Sequence, residues 1–273
     1  MPSEARTALI GWTGFVGSNL LDSHDFTDRY NTSNIADIAG QEYDLVVSSG
    51  NRADSFRINN HGDEDRAEID ALVDLVSAAH IRRLVLISTV CVYPGDTSPD
   101  EGTALTDEGL TPYGRNRLHQ ERRLADAFDT TIVRLPQLYG ARLKKGVVYD
   151  LANGYRVEHI RPAGLFQHYD VRGLWRDIQI ALDNDLDAFN VATPPISNAD
   201  LASDVFGIDI SGQQPAEPES PFARMYTRDM RTKHADLFGS TDGYLLTREQ
   251  EIASLRAFAH ELTQHDTQRE SNA

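Results

Sequence analysis

The chain has 273 residues, 40% of them hydrophobic, which is enough for one large core with a smaller lobe beside it. It sets 42 Asp and Glu against 26 Lys and Arg, a net charge of −16 that repels nucleic-acid phosphates and anionic membranes. No run of 18 apolar residues, no basic leader ahead of an apolar stretch and a single cysteine, Cys91, speak against a membrane span, a signal peptide, a disulfide framework and a cysteine-held metal; a cytoplasmic location is expected.

In chain order, Ala8-Leu9-Ile10 reads as a buried strand, Gly11 to Gly17 as a turn, and Val16 to Ser23 as the start of a helix. A second strand is expected to end near residues 30–34, and YDLVVS at 43–48 is another buried strand. Over 64–79, Ile69, Leu72, Val73, Leu75 and Val76 recur at helical spacing, and LVLI at 84–87 is a further strand. A helix over 112–128 and a strand over 131–134 follow. This alternation predicts an α/β fold, a doubly wound parallel sheet whose strand ends gather on one edge. The second half is less regular. It reads as a glycine-punctuated segment (146–164), an amphipathic helix (171–182), a strand (189–192), a capped helix (198–205), a proline-rich loop (213–221), a helix (247–263) and a frayed polar end. The expected division is a first domain of 1–140 completed by about 166–206, with 141–165 and 207–273 as a smaller, substrate-binding lobe.

Gly11-Trp12-Thr13-Gly14-Phe15-Val16-Gly17 is G-x-x-G-x-x-G between a strand and a helix. Glycines there let the backbone turn tightly and approach a pyrophosphate, which the helix N-terminus attracts. Gly11, Thr13, Gly14, Phe15, Val16 and Gly17 are the expected dinucleotide contacts, with Phe15 and Val16 also packing the helix on the sheet. The second strand ends without the Asp or Glu that holds ribose hydroxyls; Asn31, Thr32 and Ser33 stand there instead, so NAD and NADP both stay open.

Ser88-Thr89 closes the strand LVLI, and Tyr113-Gly114-Arg115-Asn116-Arg117 opens the helix 24 residues beyond Thr89. With Arg134-Leu135-Pro136-Gln137-Leu138-Tyr139-Gly140, Phe166 to Val171 and Phe189-Asn190-Val191, these segments resemble, in order, the motifs of the extended short-chain dehydrogenase/reductase family of Rossmann-type enzymes. The resemblance spans roughly residues 8–260. It implies that Tyr113 is a general acid/base and that Thr89 positions the same substrate oxygen. Position 117 would bind the nicotinamide ribose and lower the tyrosine pKa. Ser48 and Pro136 would line the cofactor. The family's lysine is Arg117 here, and its frequent asparagine on the preceding helix is Asp65. Either Arg117 serves in a working variant site, or the chain binds a dinucleotide without turnover. The family's dehydratases follow the threonine with Asp-Glu, where this chain has Val90-Cys91, which speaks against sugar 4,6-dehydration. An epimerase or a reductase of nucleotide sugars fits equally well.

Gln137, Lys144 and Lys145 are the expected substrate contacts; only three of the 26 basic residues are lysines, and two sit side by side here. Arg161, Arg172 and Arg176 are further candidate phosphate clamps. The histidines show no metal-binding spacing, so no metal is expected. The resemblance implies a homodimer through the helices at 64–79 and 112–128. Aspartate supplies 28 of the 42 acids, a composition suited either to high salt or to plain solubility.

Overall fold

The structure, a computed structural model, describes residues 5–95, 97–214 and 228–271. In chain order its elements are β1 (Thr7–Ile10), α1 (Phe15–Ser23), β2 (Asp28–Tyr30), β3 (Glu42–Ser48), α2 (Ser55–Asn60), α3 (Gly62–Ser77), β4 (His80–Thr89), α4 (Pro112–Ala127) and β5 (Thr130–Leu135). There follow β6 (Gln137–Tyr139), α5 (Val147–Ala152), β7 (Leu165–Phe166), β8 (His168–Asp170), α6 (Leu174–Asp183), β9 (Ala188–Asn190), β10 (Ile196–Ser197), α7 (Asn198–Leu201) and α8 (Arg248–Ser271). They gather into two compact units, Met1–Pro94 with Glu101–Leu135 and Arg172–Asn190, and Gly95–Asp100 with Pro136–Val171 and Val191–Ala273.

The first unit is built on a six-stranded parallel sheet in the order β2-β1-β3-β4-β5-β9. The inner strands read as unbroken apolar runs because both sheet faces are covered. On one face Val46, Leu84 and Leu86 pack against Ile69, Val73 and Val76 of α3 and Leu124 of α4. The alternate residues Leu9, Val47 and Val85, all fully buried, face the other side. There α1 and α6 meet, and His24 stacks on Trp175 at 4.1 Å between ring centroids. From β1 the chain steps outward to β2, then returns across β1 to β3. The strand order therefore reverses between β1 and β3, the point where doubly wound sheets open a crevice at their carboxyl ends. The return is short: one 3-10 turn, Ile35–Ile38, replaces a crossover helix and tucks Ile38 into the core.

The second unit holds two small ladders, β6 with β8 and β7 with β10. Its core joins Tyr139, Leu151, Leu201 and Ile210 to Leu255 and Phe258 of α8. A reciprocal cap starts α8: Gln250 N–H donates to Thr247 Oγ1 at 3.3 Å, and Thr247 N–H donates to Gln250 Oε1 at 2.8 Å. One turn on, the fully buried Glu251 accepts from the His168 N–H at 3.0 Å. Burial pushes the Glu251 carboxyl up to about 8 against the pull of that N–H, and holds the His168 imidazole down at about 4.

Several expectations change. α2 was not foreseen, nor were the two- and three-residue strands β6, β7, β8 and β10, which are too short to show a period. The terminal helix continues to Ser271, so the fraying expected from 264 is replaced by helix; residues 272–273 lie outside the described residues. Of the expected loop 213–221, residues 215–221 also lie outside them.

Candidate active site

The glycine turn sits at the reversal point. Gly11 takes φ +84°, and a Cβ there would lie 2.5 Å from Gly50 Cα and 2.6 Å from the Ser49 carbonyl oxygen. A Cβ on Gly17 would lie 2.2 Å from the Gly11 carbonyl oxygen. The exits of β1 and β3 therefore cross with no side chain between them. The cap of α1 is Gly14, with no side-chain hydrogen bond closing it. The first-turn N–H groups and the positive end of the helix dipole stay open beside the exposed Thr13 and Gly14, an arrangement that fits a phosphate anion. The residues that seat α1 are Gly17, Asn19 and Leu20, not Phe15 and Val16, which are only half-buried.

At the end of β2 the side chains hold one another. Asn31 Oδ1 accepts from Ser33 N–H at 2.8 Å and from Ser33 Oγ at 2.6 Å, and Asn34 Oδ1 accepts from Asn31 N–H at 2.8 Å. Ser48 ends β3 on the face shared with Val46, buried, its hydroxyl without a hydrogen-bond partner among the described residues.

Thr89 is the last residue of β4, and its Oγ1 accepts from Cys91 N–H at 3.2 Å, capping a 3-10 turn at Val90–Val92. α4 starts on a Thr-Pro pair: Thr111 Oγ1 accepts from Gly114 N–H at 3.3 Å, with Pro112 in the first turn. Gly114 lets α4 press on the β4 exit, since a Cβ there would be 2.2 Å from the Cys91 carbonyl oxygen. That closeness sets the start of α4 against the β4 exit that ends in Thr89, and Tyr113 N–H donates to Asn59 Oδ1 of α2 at 3.0 Å.

The Arg117 guanidinium carbon stands 4.7 Å from the centroid of the Tyr113 ring. Its two terminal nitrogens grip the Asp65 carboxylate at 3.1 Å each, and one also donates to the Arg52 carbonyl at 2.6 Å. Both partners are buried, with side chains 3% and 7% exposed. Asn116 adds a third donor to Asp65 at 2.8 Å. Burial raises the Tyr113 phenol above its ordinary value; the Arg117 charge and the nearby Thr89 hydroxyl only partly offset this. The expected lowering of the tyrosine is thus outweighed.

Behind the triad lies a buried polar floor. Arg134 donates to Glu121 Oε2 at 2.8 Å and to the Tyr93 hydroxyl at 2.7 Å. Ser88 Oγ donates to Glu121 at 2.5 Å, and Tyr93 donates to Asn190 at 3.1 Å. These bonds tie the ends of β4, β5 and β9 to α4.

The first unit thus brings together Thr89, Tyr113 and Arg117 and carries the glycine turn. Pro136, Gln137, Lys144 and Lys145 belong to the second unit: Pro136 between β5 and β6, Gln137 exposed in β6, and the lysines exposed ahead of α5. Arg176 pairs with the buried Asp177 at 2.7 Å. Three contributors escaped the sequence reading: Asn59, Gly114 and the pairing of Asp65 with Arg117. The last left a signal. Asp65 shares a helical face with Ile69, Val73 and Val76, and a carboxylate on a core-facing stripe needs a partner. Among the described residues no group of three His, Cys, Asp or Glu is placed to hold a metal ion, and no helix is long and apolar enough to cross a membrane.

Comparison with known proteins agrees with this architecture. No curated protein matches the chain in sequence. Among solved structures, a UDP-glucose 4-epimerase from Thermotoga maritima, solved with UDP-glucose, superposes with a TM-score of 0.72 at 14% identity, over 95% of this chain and 99% of that one. A dTDP-4-dehydrorhamnose reductase from Bacillus anthracis in complex with NADP gives 0.71 at 16% identity, over 94% and 99%. MoeE5 in complex with UDP-glucose and NAD gives 0.69 at 16% identity, over 96% and 99%. At these identities the likeness is one of fold. Residues 23–156 match the model of the NAD dependent epimerase/dehydratase family.

Proposed function

We propose that the protein is an NAD(P)-dependent oxidoreductase or epimerase acting on a nucleotide sugar, with Tyr113 as acid/base. The observation that carries this reading is the buried Tyr113 on α4, held against the β4 exit that ends in Thr89 and 4.7 Å from the Arg117 guanidinium, in the unit that also holds the open glycine turn. On this reading the N–H groups of the α1 first turn, with Gly11, Thr13, Gly14 and Gly17, hold the dinucleotide pyrophosphate. Asn31 and Ser33 face its adenosine ribose, and Ser48 and Pro136 complete the lining. NAD or NADP, when bound, supplies hydride acceptor and donor chemistry. Thr89 orients a carbinol or carbonyl oxygen, and the Tyr113 phenol gives it a proton or takes one. Arg117 and Asp65 fix the tyrosine ring. Gln137, Lys144 and Lys145 contact the substrate diphosphate. The reading includes a cytoplasmic homodimer through the outer faces of α3 and α4.

One observation favours a second reading, a dinucleotide-binding regulator without turnover: the Arg117 fork is already engaged by Asp65. Calorimetric titration with NADH and NADPH, at low and multimolar salt, is the first test. Binding of either, with turnover of a nucleotide sugar lost in Tyr113→Phe while binding persists, supports the enzyme. Binding with no turnover on any nucleotide sugar supports the regulator. No binding of either dinucleotide refutes both.

A further inference from the structure

We propose that Asp65 is a positioning residue: the counter-ion that pins Arg117 over the Tyr113 ring and, by neutralising it, keeps the phenol in its protonated form. This deepens the reading of the same site given above and rests on it for its functional meaning, though not for its test.

The geometry carries the inference. A guanidinium with a free fork, 4.7 Å from a phenol ring, favours the phenolate, because an opposite charge within a few ångströms stabilises the ionised form. Here the fork is not free. Both terminal nitrogens lie 3.1 Å from Asp65 oxygens, a bidentate pair almost removed from water, so the charges are felt together as a near-neutral group. Asp65 is itself held by Asn116, and Asn116 also donates to the Gly62 carbonyl at 2.7 Å. The loop after β3, through Arg52, completes the clamp. Arg117 therefore cannot swing toward another anion without leaving a buried carboxylate stripped of its cation.

The groups facing Tyr113 are few. From β4 and its exit come Thr89 and Cys91; from its own helix, Arg117; from α2, the uncharged Asn59; and from α3, Asp65 acting through Arg117. Arg117 is the cation in this set and Asp65 its counter-charge, so the balance between them decides how far the effect of burial on the phenol is offset. The resting site holds a phenol, a proton donor toward a carbonyl oxygen, rather than a phenolate.

The test uses the full chain, free of cofactor and sugar, labelled with 13Cζ-tyrosine and titrated to the alkaline limit of the fold, with Tyr113→Phe identifying the Tyr113 resonance. In Asp65→Asn the cation is unpaired, and Tyr113 is expected to ionise about 1–3 pH units below the parent protein. Should that variant fail to fold, the double change Asp65→Asn with Arg117→Lys retains a cation on a neutral partner and carries the same expectation. Arg117→Lys alone, with its counter-ion kept, is expected to titrate with the parent. Tyr113 ionisation unchanged in the variants lacking the Asp65 carboxylate overturns the proposal. A purely structural role for Asp65 would lower the melting temperature and leave the tyrosine where it was. Failure of the dinucleotide titration, by contrast, removes the enzymatic reading and leaves this result standing.

Discussion

Gly114→Ala sets two calculable effects against each other. Alanine is the better helix former, and at an unhindered helical position the change stabilises by about 1 kcal/mol. At this site the new Cβ would lie 2.2 Å from the Cys91 carbonyl oxygen, 3.2 Å from its carbon and 3.6 Å from Leu110 Cβ. The clashing atom is backbone, so α4 or the turn at Val90–Val92 must retreat by about 1 Å to reach an ordinary contact. Overpacking of that size costs roughly 1–3 kcal/mol. The balance is a net loss of up to about 2 kcal/mol, read as a lower urea midpoint. The retreat also separates Tyr113, one residue before the substitution, from Thr89, two residues before Cys91. A displacement near 1 Å between reacting groups costs about 100-fold in rate. Dinucleotide affinity is expected to stay within a few-fold, because the contacts around Gly11 are untouched. A Gly114→Ala protein more stable than its parent would refute the reasoning, since helix propensity alone would then account for it.

Two further outcomes follow from buried and surface charge. Glu251 titrates near 8 in the folded chain against 4.5 as an ordinary carboxyl. Its folded pKa is raised, so its contribution is full below about pH 4.5 and is lost as pH rises toward 8. Glu251→Gln keeps an acceptor for His168 N–H and removes the charge. The parent's melting temperature should fall relative to the variant between pH 5 and 8, and parallel curves across that range would contradict the burial argument. With a net charge of −16, the melting temperature should rise as KCl goes from 0.1 to 2 M and the Debye length shortens from about 10 Å to 2–3 Å. Equal stabilisation by sucrose of matched osmolality would mean that charge screening is not the cause.

The parts of the molecule that were legible in the sequence are those where one physical demand dominates. Buried parallel strands such as YDLVVS and LVLI must be apolar on both faces, and the Gly11–Gly17 turn admits little else. The helix beginning at Pro112 announces itself by its Thr-Pro start. What escaped was of two kinds. Short elements such as β7 and β10, two residues each, are fixed by what they pack on rather than by their own pattern. Pairings across long separations also escaped: Arg117 and Asp65 lie 52 positions apart, and a charge on a helix does not name its partner. Phe15 and Val16 misled because apolar residues beside a glycine turn read as packing, whereas the close approach of Gly17 to Gly11 does that work.

Both margins of the six-stranded sheet are strands of only three residues, Asp28–Tyr30 and Ala188–Asn190. A sheet margin is where a foreign chain adds itself by backbone pairing, and a short margin bearing charges such as Asp28 and Arg29 offers little template. This protection resides in the backbone's layout rather than in mutual repulsion. It therefore persists in strong brine, where the −16 charge no longer holds molecules apart, and leaves association to the helical faces.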